Sequence, residues 1–207
     1  MAVSFSAVRR GGLVLGVALL GLALSSAAHL WWGTTGAALL GIAGVGGTLF
    51  ALTHLYGTRR PLRLGNVPLT LGFLAVFVLY GVGVAAALDI AMTLVGIDAH
   101  AVVDRTWVTR GKASLNYHCT LRHEDGTPIP REFASNCEGR ERGDTIPVVL
   151  DPRGRFPPVR GPKADLPAVG ETQIAGIAGL VLLASTAIGS VPARAPSSGR
   201  RNPPARK

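Results

Sequence analysis

Apolar residues along this chain gather into four long runs, and a single stretch between the third and fourth alternates instead. The runs occupy 11–32, 36–56, 67–96 and 172–191. A run of about 20 apolar residues makes roughly 30 Å of helix, the depth of a bilayer core, and a helix satisfies its own N–H and C=O groups where lipid offers no partner. The pattern predicts four transmembrane helices. The turn at 33–35 between the first two is so short that they are expected to form an antiparallel hairpin. Asn66 and Pro68 predict the start of the third helix. Its apolar stretch reaches Leu88, so Asp89 arrives where hydrocarbon ends, with 90–97 expected to prolong the helix above the lipid.

Between the third and fourth runs the period changes. Residues 101–109 mix β-branched residues with Trp107 and predict a strand; in 115–122, Leu115, Tyr117, Cys119 and Leu121 alternate with polar residues, the pattern of a half-buried strand. Asp125-Gly126, with Pro128 and Pro130, marks a turn. Further strands are predicted at 132–137 and at 146–150, the latter with Ile146, Val148 and Leu150 on one face. Together they predict an antiparallel β-meander at 98–171, its edges covered by the third helix, by the loop at 153–170 or by the membrane surface. The chain is thus expected to be a membrane α-helical protein with a small inserted antiparallel β-meander domain.

Charge gives this architecture a direction. The 207 residues carry a net charge of +9, which in a soluble chain would suggest nucleic acid. The excess, however, lies beside helix ends: Arg9 and Arg10 in the 1–10 segment, Arg59, Arg60 and Arg63 in the 57–65 loop, and Arg194, Arg200, Arg201, Arg206 and Lys207 in the tail at 192–207. No acid interrupts these segments, and residues 98–171 are neutral overall. If each run crosses once, all three basic segments share one side. The positive-inside rule then makes both termini cytoplasmic and the β-domain extracytoplasmic in the cell membrane. The expected partners are the lipid bilayer and a protein in the envelope, with no nucleic acid. The basic tail, rich in Pro, Ser and Arg, is expected to be disordered.

MAVSFSAVRR before an apolar run resembles a signal peptide, and Ser26-Ala27-Ala28 offers small residues for cleavage. The run is long for such a segment, so a retained first helix is expected. Trp31 and Trp32 are assigned to the outer interface and Tyr56 to the inner one. Small residues four apart, at Gly12/Gly16, Ala37/Gly41, Gly81/Ala85, Ala175/Gly179 and Ser185/Gly189, allow close helix approach within the bundle or, alternatively, in a homo-oligomer.

Candidate chemistry is sparse. Cys119 and Cys137 are the only cysteines, and a small domain in an oxidising compartment predicts a disulfide between them, worth roughly 3 kcal/mol for a loop of this length. A hairpin centred near Pro128 would set them opposite one another; one centred on Asp125-Gly126 would not. The competing reading is a zinc set of His118, Cys119, His123 and Cys137, or a Cys–His nucleophile. It is opposed by the opposite facing of adjacent strand residues. Asp89 is either an interfacial carboxylate or an intramembrane acid on an ion path. No Walker loop, zincin helix, nucleophile elbow or dinucleotide fingerprint is present, so no catalytic residue and no cofactor is expected.

The order of a membrane helix, a strand near Trp107, a Tyr-x-Cys hairpin, then Gly143-Asp144-Thr145-Ile146-Pro147-Val148-Val149-Leu150-Asp151-Pro152 and a further membrane helix resembles a group of integral membrane proteins. Their extracytoplasmic domain ends in Gly-Asp-x-x-x-Val-x-x-Asp-Pro. The resemblance spans about residues 67–191 and rests chiefly on 143–154. The preference for arginine, 18 against 3 lysines, is similar to that of actinobacterial members. The resemblance implies the fold and the location; that group has no established activity to carry over. The amino-terminal hairpin departs from its simplest two-helix form. The function expected is a non-enzymatic membrane protein whose β-module binds an envelope partner; the alternatives are a transport component using Asp89 and a thiol- or zinc-dependent enzyme.

Overall fold

The computed structural model describes residues 5–57, 66–111 and 114–191. The expected basic loop, beyond Gly57, and the expected disordered tail lie outside the described residues. Among the described residues, three helices are long and apolar enough to cross a membrane. They are α1 (Phe5–Gly57), α2 (Val67–Val95) and α3 (Ala168–Ser190), and between α2 and α3 lie β1 (Ile97–Arg110), β2 (Leu115–His123), β3 (Thr145–Leu150) and β4 (Val159–Arg160).

The first two apolar runs are one helix broken at a single residue. Gly33 takes φ 73° and ψ −163°, a left-handed conformation that a residue with a Cβ adopts only under strain. The two arms, 5–32 and 34–57, fold back on each other. Val17 meets Gly47, Gly21 meets Gly44 and Ser25 meets Gly41, an antiparallel order. A Cβ on Gly21 would fall 2.9 Å from the Gly44 Cα, so the absence of side chains there lets the arms touch. The Tyr80 ring of α2 fills the adjoining space, and a buried cluster that includes Val14, Leu52, Val76, Tyr80 and Leu182 unites both arms with α2 and α3.

Among the glycines of the small-residue pairs, Gly189 lies under the Tyr56 ring and is packed within the bundle, whereas Gly12, Gly16, Gly81 and Gly179 have open space around a would-be Cβ. Asn66 stands at the N-cap of α2 as predicted, with Pro in the first turn, but its side chain makes no capping bond.

Two ends of the bundle are distinct. At one end Gly11 adjoins Ser190, the Tyr56 hydroxyl donates to the Ser185 carbonyl at 2.7 Å, and the Ser185 hydroxyl donates to the Pro68 carbonyl at 2.6 Å. The start of α1, its end, the start of α2 and the end of α3 therefore gather there. At the other end sits the sheet, joined through Leu88 and Met92 of α2, which pack on Val149 and Val159.

The expected extension of the helix to residue 97 is corrected by one feature. Gly96 is already extended (φ −72°, ψ 154°), and its N–H closes the last turn on the Met92 carbonyl at 2.8 Å. A Cβ there would come within 2.5 Å of that carbonyl oxygen, so β1 follows without a linker.

The sheet is antiparallel with order β2-β1-β3-β4, which corrects the expected meander: β1 is central and β3 pairs with β1. The predicted strand at 132–137 is not a ladder strand. That segment runs beside the outer edge of β2, bonded only at intervals. His123 N–H meets the Thr127 carbonyl, Ile129 N–H the Leu121 carbonyl, Phe133 N–H the Cys119 carbonyl and Cys137 N–H the Tyr117 carbonyl. From Ile129 onward each four residues advance against only two of β2, and the surplus bulges away. This slip reconciles a turn at Asp125-Gly126 with the pairing of Cys119 and Cys137, whose Cα atoms lie 6.0 Å apart in a disulfide. β3 is as predicted: Ile146, Val148 and Leu150 enter the sheet core with Ala101, Val103, Leu121 and Phe133.

Candidate functional site

The turn motifs that define the end of the domain hold backbone. Gly143 takes φ 98° and Gly154 φ 63°, both left-handed. The Asp144 carboxylate accepts the Glu141 N–H at 2.9 Å. Asp151 accepts the Arg153 N–H at 3.0 Å and the Arg155 N–H at 2.9 Å, and the Arg155 guanidinium approaches it at 3.3 Å. Burial pushes the Asp151 carboxyl up, but these donors outweigh it and hold the group below its ordinary range. The Gly-Asp and Asp-Pro motifs therefore shape the turns at the two ends of β3.

Cys119 and Cys137 are both buried and both sulfurs are consumed in their bond, which removes the thiol nucleophile and the two sulfur ligands of the zinc reading. His118 faces away from them. Its ring stacks on Trp107, centroids 5.5 Å apart. One ring nitrogen lies 2.8 Å from the Thr109 hydroxyl and the other 2.5 Å from Glu132 Oε1. Among the described residues no three His, Cys, Asp or Glu side chains converge as metal ligands. The Thr109, His118, Glu132 row has the order of a hydroxyl–imidazole–carboxylate triad, yet Thr109 and Glu132 are exposed on the open face of the sheet. What the row does is pin the 130–136 loop to β1 and β2.

That loop forms one wall of a cleft of about 720 Å³; the opposite wall is the Gly33 turn of α1. Trp31 and Trp32 stand at its mouth, 60% and 74% exposed. Asn116, His118 and Glu132 line the sheet side, and Arg131 spans the gap, its guanidinium donating to the Trp31 carbonyl at 3.3 Å. Below the cleft, a groove of about 770 Å³ runs between the second arm of α1 and α2. Its walls are almost wholly apolar, from Ala37, Gly41, Gly46, Phe77, Gly81 and Ala85. His29 and Thr34 line both spaces. The pairs Ala37/Gly41 and Gly81/Ala85 thus line an opening.

Asp89 lies in the last two turns of α2, half-buried beneath the sheet, where its carboxyl meets that of Glu171 in the first turn of α3. A recess of about 360 Å³ beside it is lined by His29, Ser135, Arg160 and Asp165. His29 therefore touches all three spaces, and its Nδ1 is buried without a hydrogen-bond partner. Sequence reasoning singled out Asp89 and His118 but missed His29, Arg131, Glu132 and Glu171. The available signal was His29 itself, an ionisable residue inside an apolar run. Compared with family models, with curated proteins and with solved structures, the chain matches none.

Proposed function

We propose that this chain is an integral membrane protein that crosses the bilayer four times, once with each arm of α1 and once each with α2 and α3. Both termini are cytoplasmic, and residues 98–171 form an extracytoplasmic, disulfide-bonded β-module that binds an envelope partner in the cleft beside Trp31 and Arg131. The observation that carries this reading is the separation of the two ends of the bundle. The helix ends that adjoin the basic segments collect at one end, with Arg9 and Arg10 exposed there. The neutral sheet and the disulfide occupy the other. Retention of Lys and Arg on the cytoplasmic side directs the second end outward, into a compartment where a disulfide persists.

A fluorescent reporter fused after Lys207 is expected to be active in the cytoplasm; activity only of an exterior-dependent reporter would overturn the topology. For the binding surface, a photoreactive residue at Asn116, within the cleft, is expected to give adducts in native membranes that are absent when it stands at the exposed turn residue Asp125. The same adducts from both positions would remove the cleft as the site.

A transport role is the second reading, and it is favoured by the meeting of the Asp89 and Glu171 carboxyls between two apolar helices. Its test is Asp89→Asn: an unchanged solute or proton flux counts against it.

A further inference from the structure

Two cavities meet at His29 and Thr34, and the chemistry of their walls changes from polar to apolar at that junction. We propose that the cleft and the groove together seat one anionic phospholipid, its headgroup against Arg131 and an acyl chain lying between α1 and α2. The inference rests on the membrane reading above and names the occupant of the cleft.

The groove selects the hydrocarbon. Its volume is that of a ligand site, and its floor is open because Gly41, Gly46 and Gly81 bring no side chains into it. Ile42 and Phe77 stand at its rim, 72% and 56% exposed, so in a bilayer the groove faces lipid. A wall this poor in polar groups cannot satisfy the backbone of an inserted peptide, whereas an acyl chain has no polar group to satisfy.

The cleft selects the headgroup. A guanidinium carries five N–H donors, and Arg131 spends one of them on the Trp31 carbonyl, which leaves the fork available to a phosphate. His29 lines both spaces and so stands beside the point where headgroup and acyl chain join. The acid in the cleft wall, Glu132, is already engaged by His118. Trp31 and Trp32 stand at the mouth, where indole rings mark headgroup depth.

The test is native mass spectrometry of the full chain released from detergent micelles after titration with phosphatidylglycerol or phosphatidylcholine. One phosphatidylglycerol is expected to remain bound, with about tenfold preference over phosphatidylcholine, the size of one charge-assisted hydrogen bond. Arg131→Gln is expected to abolish the preference, lowering phosphatidylglycerol retention more than phosphatidylcholine retention, since both carry the phosphate and only the first is a net anion. Gly81→Phe is expected to lower retention of both lipids about tenfold, the scale of a few displaced methylene groups, because a Cβ at Gly81 meets nothing within 4 Å and the ring enters the groove.

If Gly81→Phe fails to fold, tryptophan quenching by phosphatidylglycerol with brominated chains decides the matter on the unaltered protein. Saturation at one equivalent, reversed by unbrominated phosphatidylglycerol and not by phosphatidylcholine, supports the site. Equal retention of both lipids in all three proteins would reduce the lipid to ordinary annular contact and overturn the proposal. So would a protein adduct at Asn116 with no bound lipid. These readouts are independent of sidedness, so a topology overturned by the fused reporter and a failed lipid site are separate results.

Discussion

The Tyr80 hydroxyl donates a 3.0 Å hydrogen bond to the Ala18 carbonyl, 62 residues away in sequence, and does so from within the gap left by Gly21 and Gly44. One side chain of α2 thereby touches both arms of α1. Tyr80→Phe is expected to cost about 1 kcal/mol, in the range of hydrogen bonds between helices in membranes. Gly21→Val is expected to cost more, because its Cβ would meet Gly44 backbone at 2.9 Å and the arms would have to part. Thermal midpoints in detergent rank the two; a Gly21→Val protein as stable as the parent would remove the close contact.

Reduction of the disulfide removes the cross-link that holds the return segment against β2. Cys119→Ser with Cys137→Ser is expected to destabilise the module by roughly 3 kcal/mol, and the amides of Ile129, Phe133 and Cys137, which bond to β2 carbonyls, are expected to exchange faster. Hydrogen exchange of the full chain, oxidised and reduced, checks this. Equal protection in both states would show that packing of Phe133 alone suffices.

Asp151 makes the module sensitive to acid. Its carboxyl is held below the ordinary value when folded, so its contribution to stability is complete at pH values above the unfolded value of about 3.9 and is lost as pH falls through the lower folded value. Asp151→Ala, which leaves the Arg153 and Arg155 N–H groups without their acceptor, is expected to cost about 1–3 kcal/mol at neutral pH. It is also expected to flatten the acid limb of the unfolding profile. An acid limb identical to that of the parent would contradict the assignment.

Asp89 and Glu171 bring two carboxyls together beneath the sheet. Asp89→Asn replaces one of them by an amide that donates to the other, and it is expected to leave the thermal midpoint unchanged or raise it. A fall of several degrees would show that a full carboxyl pair stabilises the junction of α2 and α3.

The long apolar runs were legible because their length and composition exceed what a soluble core demands, and the runs at 67–96 and 172–191 became α2 and α3 nearly as read. β3 was legible through Ile146, Val148 and Leu150. The segment at 132–137 misled for a specific reason. Phe133 and Cys137 are buried while Ala134 and Asn136 are exposed, so the segment buries one side as a strand would. Burial was supplied by packing onto β2 with surplus residues bulged out, and no strand formed. The disulfide partners followed from there being only two cysteines, but their register did not, because it depends on that slip. The cleft was illegible: Arg131 meets Trp31 across 100 residues, and no local pattern brings a helix turn and a distant loop together.

Gly96 leaves no slack between α2 and β1. The central strand leaves the helix at a single residue packed against Val149 and the Met92 carbonyl, and Lys163 fastens the same point by donating to the Gly96 carbonyl at 3.1 Å and, from its backbone, to Asp98 at 2.6 Å. The sheet is thus a rigid handle on the helix, not a pendant on a tether. Any leaning of α2 tips the whole module by the same angle, and with it the wall that faces Trp31.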